Sequence, residues 1–575
     1  MRYLFSYSYP QRHVIDLECV LTATAKQKSL IVQLPSWRPG RYELGNFAKN
    51  IQKWEVFDAA GNKLKSKKRT KDSWEIECAE NQQIHIKYSY YAAELKAGSC
   101  YLDENQLYVN PVNCCIYMPD RIAESCELEL HLPENYKVAT ALKPTGKNTF
   151  RAADFHELAD SPFIASAGLQ QNKTIVNDIP FYIHFQGDCK PDWNRIQHDF
   201  SALIKEQVST MGSFTGKDYH FLFQFLPQRI YHGVEHLHST VIALGPAYNF
   251  SERSLYNDFL GVSCHELYHS WNIKSIRPAE MMPYDYTREN YSRLGYVCEG
   301  VTTYYGDYFL LRSGVYSQQD YFKTFDTRLQ KHFHNPARFT MPVTEASFDS
   351  WLDGYVSGIP ARKTSIYDEG CLISFMTDIL IRRSSADKRS LDDVMRALYE
   401  NFAQKGKGYS EQEYIQLVEE IAAIPMTSFF ENYVYGTCDY EPLLQELLFY
   451  IGCELIKTKA KKYHEAHFGF KLHETGPAGK VSLIYPDSAA EKAGLSLNDE
   501  IIAINGRQLK NDFNEWERYF ADQVLELSVF SDNFLKKISL APSSGELYLN
   551  YSIQKKEAAT PAQKTAWKNW ARQDF

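Results

Sequence analysis

The sequence predicts a multidomain α+β protein with a β-rich N-terminal part, a mostly helical middle and a small C-terminal module. Its 575 residues exceed what one hydrophobic core organises, so roughly three to four domains are expected. Alternating apolar and polar residues dominate the first 175 positions, whereas helical periodicity and capping signals dominate after residue 250. A charged segment at residues 457–462 then precedes a further compact stretch.

Residues 1–175 are predicted to form a β-sandwich or a large antiparallel sheet. Turn signals at residues 58–62 and 144–147 separate β-rich segments. These segments are residues 2–8, 14–23, 30–34, 54–57, 84–90 and 126–132.

Residues 176–456 are predicted to form the second domain, in which strands give way to helices. Strand-like residues 181–185 and 220–225 flank a helical pattern over residues 192–211. Two capping boxes predict where later helices begin: Ser390 with Asp393, and Ser410 with Glu413.

The charged residues 457–462 are predicted to be a domain boundary, in the form of a solvated strand or linker. Residues 463–545 are predicted to form a compact domain, and residues 546–575 a polar tail that carries Trp567 and Trp570. On this interpretation a chain that ends near Thr458 stays folded and retains some cleavage of small substrates. Its stability is expected to be reduced, because the tail packs back on the body.

Composition and charge exclude several classes of protein. The chain has 71 acidic and 63 basic residues and a net charge of −8, which leaves no basic surplus for nucleic acid. It contains no run of about 18 uncharged apolar residues, so no membrane span is expected. The twelve cysteines lack C-x-x-C spacing, and the N-terminus lacks an apolar signal core. We therefore expect free thiols and a cytoplasmic protein.

The strongest chemical signal is the run His265-Glu266-Leu267-Tyr268-His269, inside a predicted helix over residues 252–274. Positions four apart share a helix face, so both imidazoles can hold one Zn²⁺. Glu266 is rotated by about 100° from His265, which places it beside the metal as a general base for water. The alternative is a pair of exposed histidines on a surface helix.

A third ligand is expected among the downstream carboxylates Glu280, Glu289 and Glu299. Glu299 is preferred because it begins a second amphipathic helix, and helix-borne ligands are held firmly. Its alternative is an ordinary glutamate at a helix start. Two histidines, one carboxylate and an open position predict a catalytic site with one zinc per chain. Asp307, two turns after Glu299, is either a hydrogen-bond acceptor for a ligating histidine or a surface residue.

Three motifs together are more specific than the histidine pair. They are His265-Glu-Leu-Tyr-His-Ser-Trp-Asn-Ile-Lys-Ser-Ile-Arg-Pro278, then Glu299-Gly-Val-Thr-Thr-Tyr-Tyr-Gly-Asp307, and near the start Pro35-Ser-Trp-Arg-Pro-Gly-Arg-Tyr42. With these motifs the chain resembles the glycyl aminopeptidase family, gluzincin peptidases with a C-terminal PDZ domain. The resemblance implies a β-sandwich-like N-terminal domain and a thermolysin-like catalytic domain. Cys298 departs from the family pattern, in which an aromatic or polar residue precedes the ligand.

The resemblance also implies roles for two residues outside the zinc motif. Tyr367 is similar to the tyrosine of aminopeptidase N-type enzymes that stabilises the oxyanion. Gly233-Val-Glu-His236 resembles their Gly-x-Met-Glu-Asn motif, with Glu235 at the position that binds the substrate amine and His236 in place of Asn. The segment is predicted to lie at a sheet edge, where an extended peptide can pair. The family implies a preference for small N-terminal residues, Gly or Ala.

Residues 463–545 resemble a PDZ domain, with Phe468, Gly469 and Phe470 in the carboxylate-binding loop. Such a loop captures the C-terminus of a peptide ligand. The alternative is a PDZ domain that is purely structural.

The predicted function is hydrolysis of peptide substrates by a zinc aminopeptidase with Glu266 as general base. Two alternatives stay open: a zinc endopeptidase of the same fold, and a PDZ scaffold protein with an inert peptidase domain. The intact set of Glu266 and the three ligands argues against an inert domain.

Overall fold

The chain divides into two units that interleave along the sequence. The protein is described by a computed structural model of residues 1–25, 28–356 and 359–575, without the side chain of Thr475. The first unit comprises Met1–Ser317, Ser347–Val356 and Lys388–Ile424. The second unit comprises Gln318–Ala346, Ser357–Asp387 and Pro425–Phe575. The helical middle of the chain therefore contributes to both units.

The N-terminal part is built from β-strands, as its alternating pattern predicted. A seven-stranded sheet has the order β12-β13-β10-β1-β2-β7-β4, beside a four-stranded sheet β11-β14-β9-β8 and a three-stranded sheet β3-β6-β5. Burial alternates along β2, which confirms that one face of the large sheet covers the core. The strands are β1 (Arg2–Ser6), β2 (Val14–Thr22), β3 (Ser29–Gln33), β4 (Ile51–Asp58), β5 (Ser66–Thr70), β6 (Ser73–Glu77), β7 (Gln83–Tyr91), β8 (Tyr101–Leu102), β9 (Gln106–Val109), β10 (Cys126–Leu130), β11 (Lys137–Thr140), β12 (Lys143–Gly146), β13 (Thr149–Ala152) and β14 (Phe163–Ser166).

A five-stranded sheet follows, and it carries the predicted amine-binding segment at its edge. The order is β15-β16-β17-β19-β18. The inner strands β16, β17 and β19 run parallel, and β18 closes the sheet antiparallel to β19, with Glu235 opposite Thr240. The strands are β15 (Gln170–Val176), β16 (Ile179–Gln186), β17 (Tyr219–Phe225), β18 (Ile230–Glu235) and β19 (Ser239–Gly245). The prediction of a sheet edge at residues 233–236 is confirmed.

The helices begin largely where the capping signals predicted. Asp192 caps α3, and both predicted capping boxes are formed at Ser390 and Ser410. The helices are α1 (Pro111–Cys114), α2 (Phe155–Ala159), α3 (Trp193–Met211), α4 (Arg253–Tyr268), α5 (Thr302–Arg312), α6 (Gln318–Phe333), α7 (Val343–Phe348), α8 (Ser350–Asp353), α9 (Asp368–Ser384), α10 (Leu391–Asn401), α11 (Glu411–Ala422), α12 (Thr427–Phe429), α13 (Glu441–Tyr450), α14 (Ala489–Lys492), α15 (Phe513–Tyr519) and α16 (Pro561–Ala571), with π-helical turns at Tyr296–Val301, Phe430–Val434 and His464–Phe468.

The helix of the histidine motif is shorter than predicted. α4 ends at Tyr268 rather than near residue 274, with His269 as its C-cap. The next residues turn tightly, because the backbone N–H of Ser270 donates to Leu267 O and that of Lys274 donates to His269 O. The helix therefore ends well before Pro278.

The second unit contains the PDZ-like sheet. Its order is β21-β22-β23-β25-β26, with β24 paired to β23, around an apolar core that includes Phe468 and Phe513. The sheet is flanked in sequence by β20 and β27, which pair with each other. The strands are β20 (Cys453–Thr458), β21 (Phe470–Thr475), β22 (Ala478–Ile484), β23 (Glu500–Ile504), β24 (Arg507–Gln508), β25 (Leu525–Ser531), β26 (Phe534–Leu540) and β27 (Asn550–Lys555).

Residues 546–575, predicted as a polar tail that packs back on the body, contain a strand and a helix. β27 lies along α6, where its backbone N–H at Ile553 donates to Asp326 at 2.8 Å. Trp567 and Trp570 of α16 are fully buried. The predicted boundary at residues 457–462 begins inside β20, whose partner strand lies beyond the PDZ-like sheet. The sequence missed this pairing because nearly a hundred residues separate the two strands.

The remaining expectations concern the cysteines and membrane-spanning helices. All twelve cysteines belong to the described residues and are unpaired, as predicted. No helix in the described part of the chain is long and apolar enough to cross a membrane.

Candidate active site

The two histidines of the motif and Glu299 converge on one point in the first unit. The Nε2 atoms of His265 and His269 lie 3.0 Å apart. Glu299 Oε2 lies 3.8 Å from His265 Nε2 and 3.5 Å from His269 Nε2. Ligands about 2.1 Å from a tetrahedral zinc are separated by about 3.4 Å, so this donor set has the dimensions of a zinc site.

Glu299 is held by an unusual turn of helix. It lies in the π-helical turn Tyr296–Val301, which leads directly into α5. Such turns are rare and occur often at functional sites. The amphipathic pattern of this segment predicted a helix, but the pattern could not distinguish a π-helical turn from an α-helical one.

Asn272 fastens the end of α4 to this turn. Its side-chain amide donates to the backbone carbonyls of Val297 and Cys298 at 2.9 and 3.2 Å. Its own carbonyl accepts a hydrogen bond from His269 Nδ1 at 2.7 Å, which leaves His269 Nε2 free to bind a metal. Asn272 was not predicted as a site residue, although it stands three positions after His269.

Asp307 is predicted to accept a hydrogen bond from a ligating histidine, and Cys298 directly precedes the ligand Glu299. The acceptor for His269 Nδ1 is the Asn272 carbonyl, so Asp307 does not fill that position. Asp307 is half-buried on α5, the helix that packs closely on α4 where Gly306 meets His265. Cys298 is fully buried, and burial raises the pKa of its thiol, which keeps it neutral beside Glu299.

The N-terminal part of the chain reaches the same site. The Tyr42 hydroxyl donates to Glu299 Oε1 at 3.1 Å, and both residues are buried. Tyr42 belongs to the motif at residues 35–42, which sequence reasoning used only for recognition. A contact across more than 250 positions leaves no local signal.

Glu266 lies buried beside the metal ligands. Its Oε2 atom has no hydrogen-bond partner among the residues described. Burial, together with the carboxylates of Glu235 and Glu299, raises its pKa well above the usual value. The backbone of β18 passes directly over the carboxylate, because a Cβ atom at Gly233 would overlap Glu266 Oε1. A side chain at position 233 would therefore require the carboxylate of Glu266 to move.

Glu235 faces the same centre from the edge of the sheet. Glu235, Glu266 and His269 form a second group whose ligand atoms lie within 4.8 Å of one another. Both groups require His269 Nε2, because Nδ1 is engaged, so one cation at most can use this histidine. The group with two imidazoles matches the donor preference of zinc.

The electrostatic field at His269 favours a cation. Burial alone would lower the pKa of this imidazole. The neighbouring carboxylates, first of all Glu235 and Glu299, instead raise this pKa to about 10. A metal ion at Nε2 satisfies the same field as a proton does.

A charged network supports the end of β18. Asp160 accepts hydrogen bonds from Lys274 Nζ at 2.7 Å, from the Leu237 backbone N–H at 2.8 Å and from His236 Nδ1 at 3.1 Å. His236 is therefore engaged by Asp160 and not by the centre itself. This anchor fixes the strand end that carries Glu235.

Tyr367 lies in the second unit. It is half-buried and immediately precedes α9. The zinc ligands belong to the first unit. The role of Tyr367 stays a prediction.

The predicted PDZ loop is ordered but is internally bonded. Phe468 and Phe470 are part of the apolar core. The Gly469 N–H donates to His464 O at 2.9 Å, so Gly469 does not offer the free donor that peptide binding requires. The His464 N–H donates to an internal carboxylate, that of Glu517, at 2.7 Å.

Three regions of the chain match models of known families. Residues 2–167 match the peptidase M61 N-terminal domain, residues 258–373 match the M61 glycyl aminopeptidase, and residues 480–529 match a PDZ domain. The protein is by class a metallo-aminopeptidase. Its N-terminal and catalytic regions are similar to those of the M61 glycyl aminopeptidases and its C-terminal region to a PDZ domain, which confirms the resemblance of its motifs.

Solved structures give the same fold. An aminopeptidase N family protein from Idiomarina loihiensis is similar with a TM-score of 0.90 and 26% identity, over 99% of each chain. An M1 zinc metallopeptidase mutant from Deinococcus radiodurans, bound to a Tyr-Ser-Ala substrate, has a TM-score of 0.50 and 13% identity over 77% of this chain and 94% of its own, which shows the fold alone. No curated protein matches the chain in sequence.

Proposed function

We propose that the protein is a zinc aminopeptidase that removes single residues from the free N-terminus of peptides. The observation that carries the proposal is the convergence of His265, His269 and Glu299 beside the buried carboxylates of Glu235 and Glu266. The three ligands would hold one zinc ion per chain. When bound, zinc supplies Lewis-acid activation of a water molecule and of the scissile carbonyl.

Glu266 is the proposed general base. Its unpartnered oxygen lies next to the ligands, where it takes a proton from the attacking water and later passes it to the leaving amine. The backbone at Gly233 lies close to this carboxylate on the strand side. By resemblance, the Tyr367 hydroxyl donates to the developing oxyanion. Asp307 follows Gly306, which contacts His265, and is the proposed residue that orients this histidine.

Glu235 is the proposed partner of the substrate amine. It is buried at the edge strand β18, where a charge-assisted hydrogen bond to an ammonium group is strong. A Cβ atom at Gly40 would lie only 2.5 Å from both oxygens of this carboxylate, so this end of the site is narrow. A narrow end supports a preference for Gly or Ala as the N-terminal residue.

The test is hydrolysis of glycyl-, alanyl- and leucyl-p-nitroanilides and their N-acetylated counterparts, with and without chelator. We expect cleavage of the free-amine Gly and Ala substrates, loss of cleavage on chelation and recovery with zinc. Efficient cleavage of acetylated substrates would favour an endopeptidase. Zinc-loaded protein that cleaves neither set would favour an inert scaffold.

A further inference from the structure

Arg38 is a buried cation without a described anionic partner. Arg38 is only 3% exposed. Its guanidinium group lies against the backbone at Gly98, where a Cβ atom would overlap it. One N–H donates to Pro39 O over a long 3.4 Å. Arg38 forms no ion pair with any carboxylate of the described residues. A buried charge is normally paired, so this one calls for an explanation.

The carboxylate that acts most strongly on Arg38 is Glu235. Burial lowers the pKa of Arg38, and among its neighbours Glu235 opposes this shift most. In the free protein the two opposite charges balance across the site. When Glu235 binds the ammonium group of a substrate, that group balances the negative charge of Glu235. The positive charge of Arg38 then has no counterpart. A substrate that also brings a carboxylate restores the balance.

The space around Arg38 is large enough for such a group and is positively charged. Arg38 lines a cavity of about 580 Å³ together with Arg41, Lys49 and Lys96. The acids of that cavity, Glu43 and Glu94, are already paired with Arg41 and Lys96 respectively. Arg38 also lines a second cavity of about 330 Å³, whose Lys274 is occupied by Asp160. Arg38 and Lys274 are the fully buried cations that line these cavities, and of the two only Arg38 lacks a described carboxylate partner. Arg277 of the second cavity is half-buried.

We propose that Arg38 binds a carboxylate of the peptide substrate, so that the enzyme favours short peptides that carry a carboxylate near the scissile bond. The proposal rests on the proposed aminopeptidase function, with the substrate amine at Glu235. The narrow end of the site at Gly40 favours the C-terminus of a dipeptide or tripeptide as the source of this carboxylate. The side chain of an N-terminal Asp or Glu is the other chemical source, which the test distinguishes. Arginine suits either, because its planar fork matches a carboxylate with two parallel hydrogen bonds.

The experiment compares matched substrates on the zinc-loaded full chain. One arm measures kcat/KM for Ala-Ala and Ala-Ala-Ala against their C-terminal amides. The other arm compares Asp-Ala-amide with Asn-Ala-amide. In one of the two arms we expect kcat/KM for the carboxylate substrate to exceed that for its neutral counterpart by about 10- to 150-fold, mainly through a lower KM. The arm that shows this difference identifies the source of the carboxylate. Equal kcat/KM within both arms would overturn the proposal, and this comparison needs no variant.

A variant then tests the residue. Arg38→Gln should reduce the ratio between carboxylate and amide substrates to about one, whereas the control Arg2→Gln, an exposed arginine paired with Glu129, should preserve it. An Arg38→Gln protein that loses activity equally on both substrates would overturn the proposal and make Arg38 structural. Failure of the proposed function looks different: no free-amine peptide would be cleaved, or acetylated peptides would be cleaved equally well.

Discussion

Glu266 and Glu299 are both buried carboxylates, but only Glu299 brings an oxygen within 4 Å of both imidazoles. We expect Glu299→Ala to lose the bound metal. Glu266→Gln should retain the metal and lose about 100- to 10,000-fold in kcat, because a general base is removed without a ligand. Metal content by atomic absorption, with kinetics on glycyl-p-nitroanilide, measures both. A metal-free Glu266→Gln protein would contradict the division of roles.

Gly233 tests how closely the edge strand must approach Glu266. A methyl group at this position overlaps the carboxylate, so Gly233→Ala should displace Glu266 and lower kcat by about 100-fold while the metal stays bound. Gly261→Ala on α4 is the matched control, since its Cβ would find its nearest neighbour at an ordinary 3.4 Å. Unchanged kcat in Gly233→Ala would show that the strand yields and the contact is unimportant.

Tyr42 tests the contribution of the N-terminal motif to the ligand set. Tyr42→Phe removes one hydrogen bond to a buried carboxylate, so zinc affinity should fall by about 10- to 100-fold in a chelator competition. Tyr117→Phe is the control, because Tyr117 is buried in the same part of the chain and its hydroxyl makes no described hydrogen bond. Equal zinc affinity in Tyr42→Phe and wild type would contradict a positioning role.

At the scale of elements, Asp160 joins the end of β18 to the turn after α4. Burial alone would raise the pKa of Asp160, but Lys274 and His236 hold this pKa below its usual value. A carboxyl whose pKa is lower in the folded state stabilises the fold above the unfolded pKa of about 3.9, and this stabilisation is lost as the pH falls.

Asp160→Asn should therefore lower the free energy of unfolding by about 1–3 kcal/mol at pH 7, with a smaller difference as the pH approaches 3. Urea unfolding across this pH range measures the effect. Asp120→Asn, at an exposed position, should change little at any pH. A deficit in Asp160→Asn that grows as the pH falls would show that the network does not stabilise the fold through the charge of Asp160.

On the scale of the whole molecule, the last thirty residues complete the second unit. The Tyr551 ring of β27 stacks on Phe333 of α6 with centroids 3.8 Å apart, and Trp570 meets Tyr321 and Phe375. A chain that ends near Thr458, which sequence reasoning expected to stay folded, leaves β20 without its partner strand. The loss of this partner agrees with the reduced stability that the sequence predicts for the shortened chain, whose folding stays a prediction.

We expect a chain that stops at residue 545 to lose cooperative unfolding of the second unit, and Trp570→Ala to cost about 3–5 kcal/mol. Thermal unfolding with limited proteolysis measures both. Thr565→Ala, at an exposed position of the same helix, is the control. A truncated chain with wild-type Tm would mean that β27 and α16 are dispensable.

The sequence alone determined what depends on neighbours a few positions apart. The capping boxes at Ser390 and Ser410 and the alternating strands are local, because a helix cap spans three residues and a strand repeats every two. The histidine pair is equally local, since helical geometry alone puts residues four apart on one face. The spacing alone left three carboxylates open as the third ligand, and Glu299 was preferred because it begins a predicted helix.

Tertiary structure alone decided what depends on distant segments. Three contacts of this kind join residues about 100 to 260 positions apart. They are the hydrogen bond from Tyr42 to Glu299, the close approach of Gly40 to Glu235, and the pairing of β20 with β27. The physical reason is that such contacts are selected by the packing of the whole chain, and no propensity or period of either segment records its partner. The helix of the zinc motif could thus be predicted from the sequence, whereas the distant residues that surround the site could not.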